Sequence, residues 1–326
     1  MTQKIEIPND YPVELGPPDI RRWADGGTGV PYLHRFDSGR SGPHVMVSAI
    51  VHGNEPCGAI ALDRLLAGGF RPSAGRVSFL FANIAAYEAF DPGDPNATRW
   101  VDEDMNRVWG ADVLDGPRDS VELRRARQIR PALAGVDLLL DVHSMQHTAP
   151  AVALSGRHDK GVALARGIGV PETIIADSGH AAGKRMRDYG AFDDPDAGAA
   201  AVLIECGQHW AAGAGALAEE AVARFLVQAG VASDDMTAAY RAPSPPGAWR
   251  MQQRVWRVRE VVTIETDAFR FAAPYTGGEV IPAAGTVIGH DGDRPVVTPV
   301  DDCMLVMPSK RLWPGQTAVR LAERVG

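Results

Sequence analysis

The chain has 326 residues, of which 45% are hydrophobic and 23% are charged, and its formal net charge is −8. This composition is typical of a globular protein and argues against a nucleic-acid-binding protein that works through a global basic field. No apolar run reaches the roughly 18 residues of a membrane span, and the first residues lack the apolar core of a signal peptide. The three cysteines are odd in number and far apart, which favours a reducing compartment. We therefore expect a cytoplasmic protein that binds neither nucleic acid nor membranes.

Apolar runs of strand length and of helix length alternate along the first 230 residues. An edge strand at 30–36 is followed by predicted strands at 44–50, 76–84, 137–143 and 199–206. Helices are predicted from near Glu55 to 69, and at 120–133, 161–170 and 215–230, with Pro131 marking the end of the second. This alternation predicts an α/β fold with a mostly parallel central sheet that is covered on both faces.

The composition changes after residue 230. Residues 231–249 are rich in Pro, Ser and Asp, and beyond them short β-like runs are broken by turns, with no long helical pattern. We predict an α/β domain over residues 1–235, a linker over 236–247, and a small C-terminal β domain over 248–326.

Polar residues follow two of the predicted strands, at the edge where open α/β sheets bind ligands. His52 and Glu55 follow strand 44–50 with a spacing that suits zinc, although such a tetrapeptide also arises by chance. Asp141 and His143 end strand 137–143 and share one face, so His143 could be a third ligand and Asp141 could orient a ligating imidazole; a solvated Asp beside a strand-end His is the alternative. A set of two His and one Glu would leave zinc a fourth position for water.

Two further segments carry charge near predicted strand ends. Glu205 ends an apolar run, where burial is costly without a role or a partner; it could be a general base, or it could pair with an arginine. Residues 99–107 place Arg99, Asn106 and Arg107 in an acidic stretch. A guanidinium binds a carboxylate through two bonds, so Arg107 suits a substrate carboxylate, while a solvated loop is the alternative.

The motifs HGNE, DMNR with an arginine before it, DVHS and IECG occur in this order. In this combination the chain resembles the succinylglutamate desuccinylase/aspartoacylase family of zinc carboxypeptidase-like hydrolases, from about residue 44 to the C-terminus. The resemblance implies a three-layer α/β/α domain followed by a small β domain. It also implies that His52, Glu55 and His143 bind one zinc ion per chain and that Glu205 is the general base. Arg99 would polarise the scissile carbonyl, and Asn106 with Arg107 would hold the carboxylate of the amino-acid part.

The chain departs from the family pattern before Glu205. Aspartoacylases carry an arginine and a tyrosine there for the acidic side chain, whereas residues 184–202 offer Lys184, Arg185, Arg187 and Tyr189 without a clear alignment. The expected function is zinc-dependent removal of an acyl group from a small N-acylated amino acid. A peptide-cleaving metallocarboxypeptidase and a non-catalytic metal- or ligand-binding protein are the alternatives. The sequence leaves open whether another divalent ion replaces zinc and whether the chain forms a homo-oligomer.

Overall fold

The computed structural model describes residues 11–180, 182–243 and 252–325. The strands are β1 Leu33–Asp37, β2 His44–Ala49, β3 Arg76–Phe81, β4 Leu138–Met145, β5 Val152–Leu154, β6 Thr173–Ala176, β7 Ala200–Gln208, β8 Arg254–Thr263, β9 Phe269–Phe271, β10 Val280–Ile281, β11 Val287–Asp291, β12 Arg294–Val297, β13 Cys303–Val306 and β14 Thr317–Arg324. The helices are α1 Pro56–Ala67, α2 Ile84–Glu88, α3 Ala111–Leu114, α4 Val121–Leu133, α5 Asp159–Ile168, α6 Ala212–Gln228 and α7 Asp234–Ala238.

One large sheet organises the molecule. Its 11 strands have the order β1-β3-β2-β4-β7-β5-β6-β8-β14-β13-β10. The central strands β3, β2, β4 and β7 are mutually parallel, and β5, β6 and β8 form a second parallel group that runs antiparallel to β7. The carboxyl ends of β2, β4 and β7 therefore meet at one edge of the sheet, where ligands bind in open α/β sheets.

Helices cover both faces of this sheet because its central strands are apolar on both faces. On one face Val45 and Val47 pack in a core cluster with residues of α1, α5 and α6. On the other face Met46 and Leu139 pack with residues of α4. These two clusters make the three-layer α/β/α arrangement, so the predicted fold class is confirmed.

The C-terminal segment extends the same sheet. Strand β8 pairs in parallel with β6, and antiparallel β14, β13 and β10 follow it. A small three-stranded sheet, β12-β11-β9, stands beside them. Trp256 and Val306 of this segment share a core cluster with Leu154 and Leu203, which come from the first part of the chain. The domain boundaries at 235 and 248 stay a prediction.

Several local expectations can be compared with the structure. Helix α4 continues two residues beyond Pro131, to Leu133. Part of the predicted linker is packed: its first three residues, 236–238, form the end of α7, and the Tyr240 hydroxyl donates to the Gly68 carbonyl at 3.0 Å. The remainder of that linker from residue 244, and the first ten residues, lie outside the described part of the chain. Among the described helices, none has both the length and the apolarity needed to cross a membrane.

Candidate metal and substrate site

The site lies at the edge where β2, β4 and β7 end. His52 and Glu55 belong to the connection between β2 and α1; Glu55 occupies the position before the helix without a side-chain capping bond, and Pro56 is the first helical residue. His143 lies near the end of β4, and its register partner on β7 is Glu205. Parallel pairing thus places residues from positions 52 to 205 side by side.

His52, Glu55 and His143 form a buried donor cluster. Their candidate ligand atoms all lie within 4.8 Å of one another. The Nδ1 atom of His52 lies 2.8 Å from Glu55 Oε1, and the Nδ1 atom of His143 lies 2.9 Å from Glu55 Oε2. Two imidazole nitrogens therefore face one carboxylate, a donor set that suits zinc.

Two further carboxylates hold the outer nitrogens of these imidazoles. Asp104 Oδ1 lies 2.9 Å from His52 Nε2, and Asp141 Oδ2 lies 3.0 Å from His143 Nε2. Such partners fix the ring orientation and leave each Nδ1 for a metal. Asp141 was singled out from the sequence, whereas Asp104 was missed, although it lies two residues before Asn106 in the DMNR motif.

In the donor cluster, neighbouring opposite charges together shift the pKa values of Glu55 and His143 more strongly than burial does. Burial would raise the pKa of Glu55, but the two imidazoles hold that pKa well below its usual value. Burial would lower the pKa of His143, but Asp141 and Glu55 raise it well above its usual value. The cluster therefore places carboxylates around His143, and a divalent cation can replace the proton that this imidazole holds.

Glu205 is a buried carboxylate whose Oε2 atom has no hydrogen-bond partner among the described residues. Burial, and then the negative charge of Glu55, raise the pKa of Glu205 to about 8. A cation bound at the donor cluster would lower this pKa again. An unpaired carboxylate beside a candidate metal site has the chemistry of a proton acceptor.

Arg99 contacts the donor cluster directly. Its Nη1 donates to Glu55 Oε1 at 3.0 Å, and its Nη2 lies 3.0 Å from His52 Nε2. Gly53 ties the two loops together, because its amide donates to the Arg99 carbonyl at 3.0 Å. A Cβ at Gly53 would lie only 2.4 Å from the Thr98 carbonyl oxygen, so this approach requires glycine.

Asn106 and Arg107 form part of a short 3-10 helix, Met105–Arg107. Asn106 Oδ1 accepts a bond from the Met186 amide at 2.9 Å, which orients its side-chain amide. Arg107 donates to its neighbour's carbonyl at 2.7 Å and lies 3.7 Å from Asp104 Oδ2. Burial lowers the pKa of Arg107. A substrate carboxylate beside Arg107 would stabilise the charged guanidinium and offset the free-energy cost of burying it.

Glu122 of α4 anchors the loop that carries Arg99 and Arg107. Its buried carboxylate accepts bonds from the amides of residues 101, 102 and 103 at 2.7, 3.1 and 3.2 Å, and from Asn83 Nδ2 at 3.1 Å. Sequence reasoning missed Glu122 because it reads as one charge of an amphipathic helix.

The seven residues to which the sequence gives metal-binding, catalytic or substrate-binding roles all line one cavity of about 430 Å³: His52, Glu55, Arg99, Asn106, Arg107, His143 and Glu205. Residues of the C-terminal segment close its other side: Thr276, Val306, Met307, Pro308, Ser309, Lys310, Arg311, Gln316, Thr317 and Arg320. The size is within the range of small-molecule sites. Arg311 and Arg320 were not singled out from the sequence, since no local motif marks them.

The charged side chains of residues 184–187 are paired with other residues of the protein. Arg185 donates to Asp177 at 2.8 and 3.0 Å and to Asp188 at 2.6 Å. Arg187 donates to Asp188 and to two backbone carbonyls, and Lys184 lies 3.0 Å from Asp193.

Tyr189, Tyr275 and His209 do not belong to the cavity lining. Tyr189 accepts a bond from Arg130 Nε at 2.9 Å. Tyr275 packs against Phe271 with ring centroids 5.8 Å apart, and His209 is buried against Ser144, 2.8 Å from its hydroxyl. His147, by contrast, lines the cavity.

One family model matches this chain. Residues 41–229 match the model of the succinylglutamate desuccinylase/aspartoacylase catalytic domain, which is more than half of the chain. A comparison with curated protein sequences gives no match.

Solved structures share the fold over most of their length. Succinylglutamate desuccinylase from Vibrio parahaemolyticus has a TM-score of 0.61 and 17% identity, covering 91% of this chain and 87% of that one. A succinylglutamate desuccinylase/aspartoacylase from Rhodobacter sphaeroides has a TM-score of 0.60 and 19% identity, covering 88% and 87%. The product-bound ectoine utilization protein EutE (DoeB) from Ruegeria pomeroyi has a TM-score of 0.59 and 17% identity, covering 90% and 88%. At such identities the likeness shows the fold, and it is the matched catalytic-domain model that establishes that this chain belongs to the succinylglutamate desuccinylase/aspartoacylase family.

Proposed function

We propose that the protein is a zinc-dependent amidohydrolase that removes the acyl group from a small N-acylated amino acid. The observation that carries this proposal is the convergence of two imidazole Nδ1 atoms on Glu55, beside the unpartnered carboxylate of Glu205. Membership of a deacylase-type hydrolase family supports the same reaction class.

His52, Glu55 and His143 would hold the ion, with Asp104 and Asp141 orienting the two imidazoles. A zinc ion held there would supply a Lewis acid for the carbonyl and a lower pKa for a nearby water. The donor set also accepts other divalent ions.

The chain's own residues divide the remaining work. Glu205 would accept a proton from the attacking water and later donate it to the leaving amine. Arg99 would stabilise negative charge that develops on the carbonyl oxygen, because its guanidinium lies beside the donor cluster. Asn106 and Arg107 would hold the carboxylate of the amino-acid part, which orients the amide bond toward Glu205.

Wild-type protein should release free amine from a panel of N-acetyl-, N-formyl- and N-succinyl-amino acids. Release of C-terminal residues from peptides at higher kcat/KM would instead favour a metallocarboxypeptidase. The cavity of about 430 Å³, closed on one side by residues 306–320, favours the small substrate. Absence of turnover on every substrate, with metal bound, would support a binding protein and overturn the proposal.

A further inference from the structure

Residues 11–15 form an N-terminal strap that lies against two loops beside the candidate site. The first loop, residues 146–151, joins β4, which carries His143, to β5. The second loop, residues 209–211, joins β7, which carries Glu205, to α6. The strap precedes residue 41, where the match to the catalytic-domain model begins. Its contacts with the two loops are therefore a feature of this chain outside the matched region.

One end of the strap is anchored at the start of α6. The amides of Glu14 and Leu15 both donate to the Trp210 carbonyl at 3.0 Å. Helix α6 has no capping bond from its own N-cap residue, and Glu14 Oε2 accepts from the Ala212 amide at 2.8 Å instead. The Leu15 side chain packs on the same helix, since a Cβ at Gly215 would lie 3.2 Å from Leu15 Cδ1. A carboxylate at a helix N-terminus is favourable, so this end is well fixed.

The other end of the strap contacts the loop 146–151 through Tyr11. The Tyr11 hydroxyl accepts from the Thr148 amide at 3.3 Å. The Tyr11 ring lies against the His147 ring, with centroids 6.1 Å apart and an interplanar angle of 56°. His147 lines the substrate cavity, whereas Tyr11 does not. Tyr11 therefore reaches the cavity only through the loop that carries His147.

The rest of this loop is held by other parts of the chain. Gln146 Nε2 donates to Asn96 Oδ1 at 3.1 Å, and the Gln146 carbonyl accepts from Gln208 Nε2 at 3.2 Å. Gln146 Oε1 also accepts from Arg311 Nη2 at 3.5 Å. The start of the loop is thus fixed by side chains around the cavity, and the strap supplies the contacts to the next two residues.

A lining side chain limits the size of a cavity only while its neighbours hold it in place. His147 and Tyr11 are both half-buried, and their rings contact each other. Truncation of the Tyr11 ring would leave space into which the His147 imidazole can turn. A residue that supports a cavity-lining side chain in this way controls the geometry of the site without touching the ligand.

We propose that Tyr11 is a positioning residue for His147 and that the N-terminal strap thereby limits the size of the substrate group beside the loop 146–151. This inference rests on the proposed amidohydrolase function and adds that bulky groups are excluded from this part of the cavity. The group concerned belongs either to the acyl part or to the amino-acid side chain.

Two matched substrate pairs test the proposal and identify the group. The first pair is N-acetyl-L-alanine with N-benzoyl-L-alanine, and the second is N-acetyl-L-alanine with N-acetyl-L-phenylalanine. We expect wild type to prefer the small member of one pair by at least about 10-fold in kcat/KM. Tyr11→Ala should lower that preference at least about 5-fold by raising kcat/KM on the bulky member. It should keep kcat/KM on N-acetyl-L-alanine within about 2-fold of wild type.

A gain on the bulky substrate separates positioning from general loss of stability, which would lower kcat/KM on both substrates. Tyr11→Phe keeps the ring beside His147 and should retain most of the preference. The matched control is Tyr240→Ala. The Tyr240 hydroxyl also bonds to the backbone, at Gly68, and its ring packs against Phe70 with centroids 6.0 Å apart. Tyr240 lies outside the lining of the substrate cavity, so its loss should leave the preference unchanged.

A double-mutant cycle tests whether Tyr11 acts through His147. His147→Ala alone should lower the size preference as Tyr11→Ala does. In the His147→Ala background, Tyr11→Ala should change the preference by at most about 2-fold, because the side chain that it positions is gone. Additive effects of the two substitutions, an unchanged preference in Tyr11→Ala, or no size preference in wild type would overturn the proposal.

Equilibrium binding of the reaction products separates this inference from the proposed function. The probes are benzoate with acetate and L-phenylalanine with L-alanine, measured by calorimetry. Tyr11→Ala should strengthen binding of the bulky member of one pair at least about 5-fold and leave the small member unchanged. If no substrate is hydrolysed but this difference holds, the proposed function fails and the positioning role stands. If substrates are hydrolysed and Tyr11→Ala discriminates as wild type does, the positioning role fails and the proposed function stands.

Discussion

Glu205 is the residue whose environment most resembles that of a general base. It is buried, its Oε2 atom lacks a partner among the described residues, and its register partner is His143. Glu205→Gln keeps the shape and removes the proton acceptor. We expect the variant to keep its metal while kcat falls by roughly 10²–10⁴-fold, the usual scale for a general acid–base residue.

The control for this variant is Glu172→Gln, which changes an exposed carboxylate that pairs with Arg254. Metal content and kcat of the control should equal those of wild type. Near-normal kcat in Glu205→Gln, or loss of its metal, would show that Glu205 has another role.

Substitutions of the two arginines of the 99–107 loop should change different kinetic constants. Arg107→Ala removes binding that is similar in the ground and transition states, so KM should rise with a smaller change in kcat. Arg99→Ala removes stabilisation that grows with the oxyanion, so kcat and kcat/KM should fall together. Steady-state kinetics on an N-acyl amino acid checks both expectations.

A substrate whose amino-acid carboxylate is replaced by an uncharged amide sharpens this comparison. Wild type should process it poorly, and Arg107→Ala should lose little more on it. Arg107→Lys should not restore binding, because an ammonium lacks the two parallel donors. An equal loss on acid and amide substrates would mean that Arg107 does not meet the carboxylate.

At the scale of elements, helix α4 holds the separate loop 99–107 in position. Glu122 accepts bonds from three consecutive backbone amides of the loop, residues 101–103. Glu122→Gln offers one acceptor oxygen and places an amide group against these donors. We expect it to lower the free energy of unfolding by about 1–3 kcal/mol and kcat/KM by on the order of 10- to 100-fold, because Arg99 and Arg107 lose their positions.

Urea unfolding and steady-state kinetics check this prediction. The control is Gln128→Ala on the exposed face of the same helix, which should change the free energy of unfolding by at most about 0.5 kcal/mol. Full activity in a destabilised Glu122→Gln would show that the anchor serves folding alone.

The sequence predicts what is encoded locally. The main strands and helices of the first 230 residues are visible as apolar periodicity. His52, Glu55 and His143 are visible because each lies near the end of a strand in a short motif. Pro131 illustrates a local limit: it removes one donor but does not stop the last residues of α4 from remaining helical.

Site residues that reach the cavity only through contacts between distant parts of the sequence could not be predicted. Glu122 contacts a loop about 20 residues away, and Arg320 reaches the cavity only because β14 joins the sheet beside β8. Neither residue has a spacing relation to the motifs that mark the site.

At the scale of the whole molecule, the C-terminal segment and the first part of the chain share a sheet and a core cluster. Removing residues 244–326 would expose the edge of β6 and half of that cluster. We expect the full chain to unfold in one cooperative transition, with coincident curves from far-UV circular dichroism and tryptophan fluorescence. Two separated transitions would show that the segment folds as an independent domain.

The most direct measurement of the central claim is the metal content of the purified protein by elemental analysis. The wild-type chain should contain about one zinc ion, and the His52→Ala/His143→Ala double variant should contain almost none, since it keeps only Glu55 of the donor cluster. The matched control is His158→Ala/His290→Ala, whose histidines lie outside the cavity lining and should leave the metal content unchanged. Full metal content in the His52→Ala/His143→Ala variant would contradict the account.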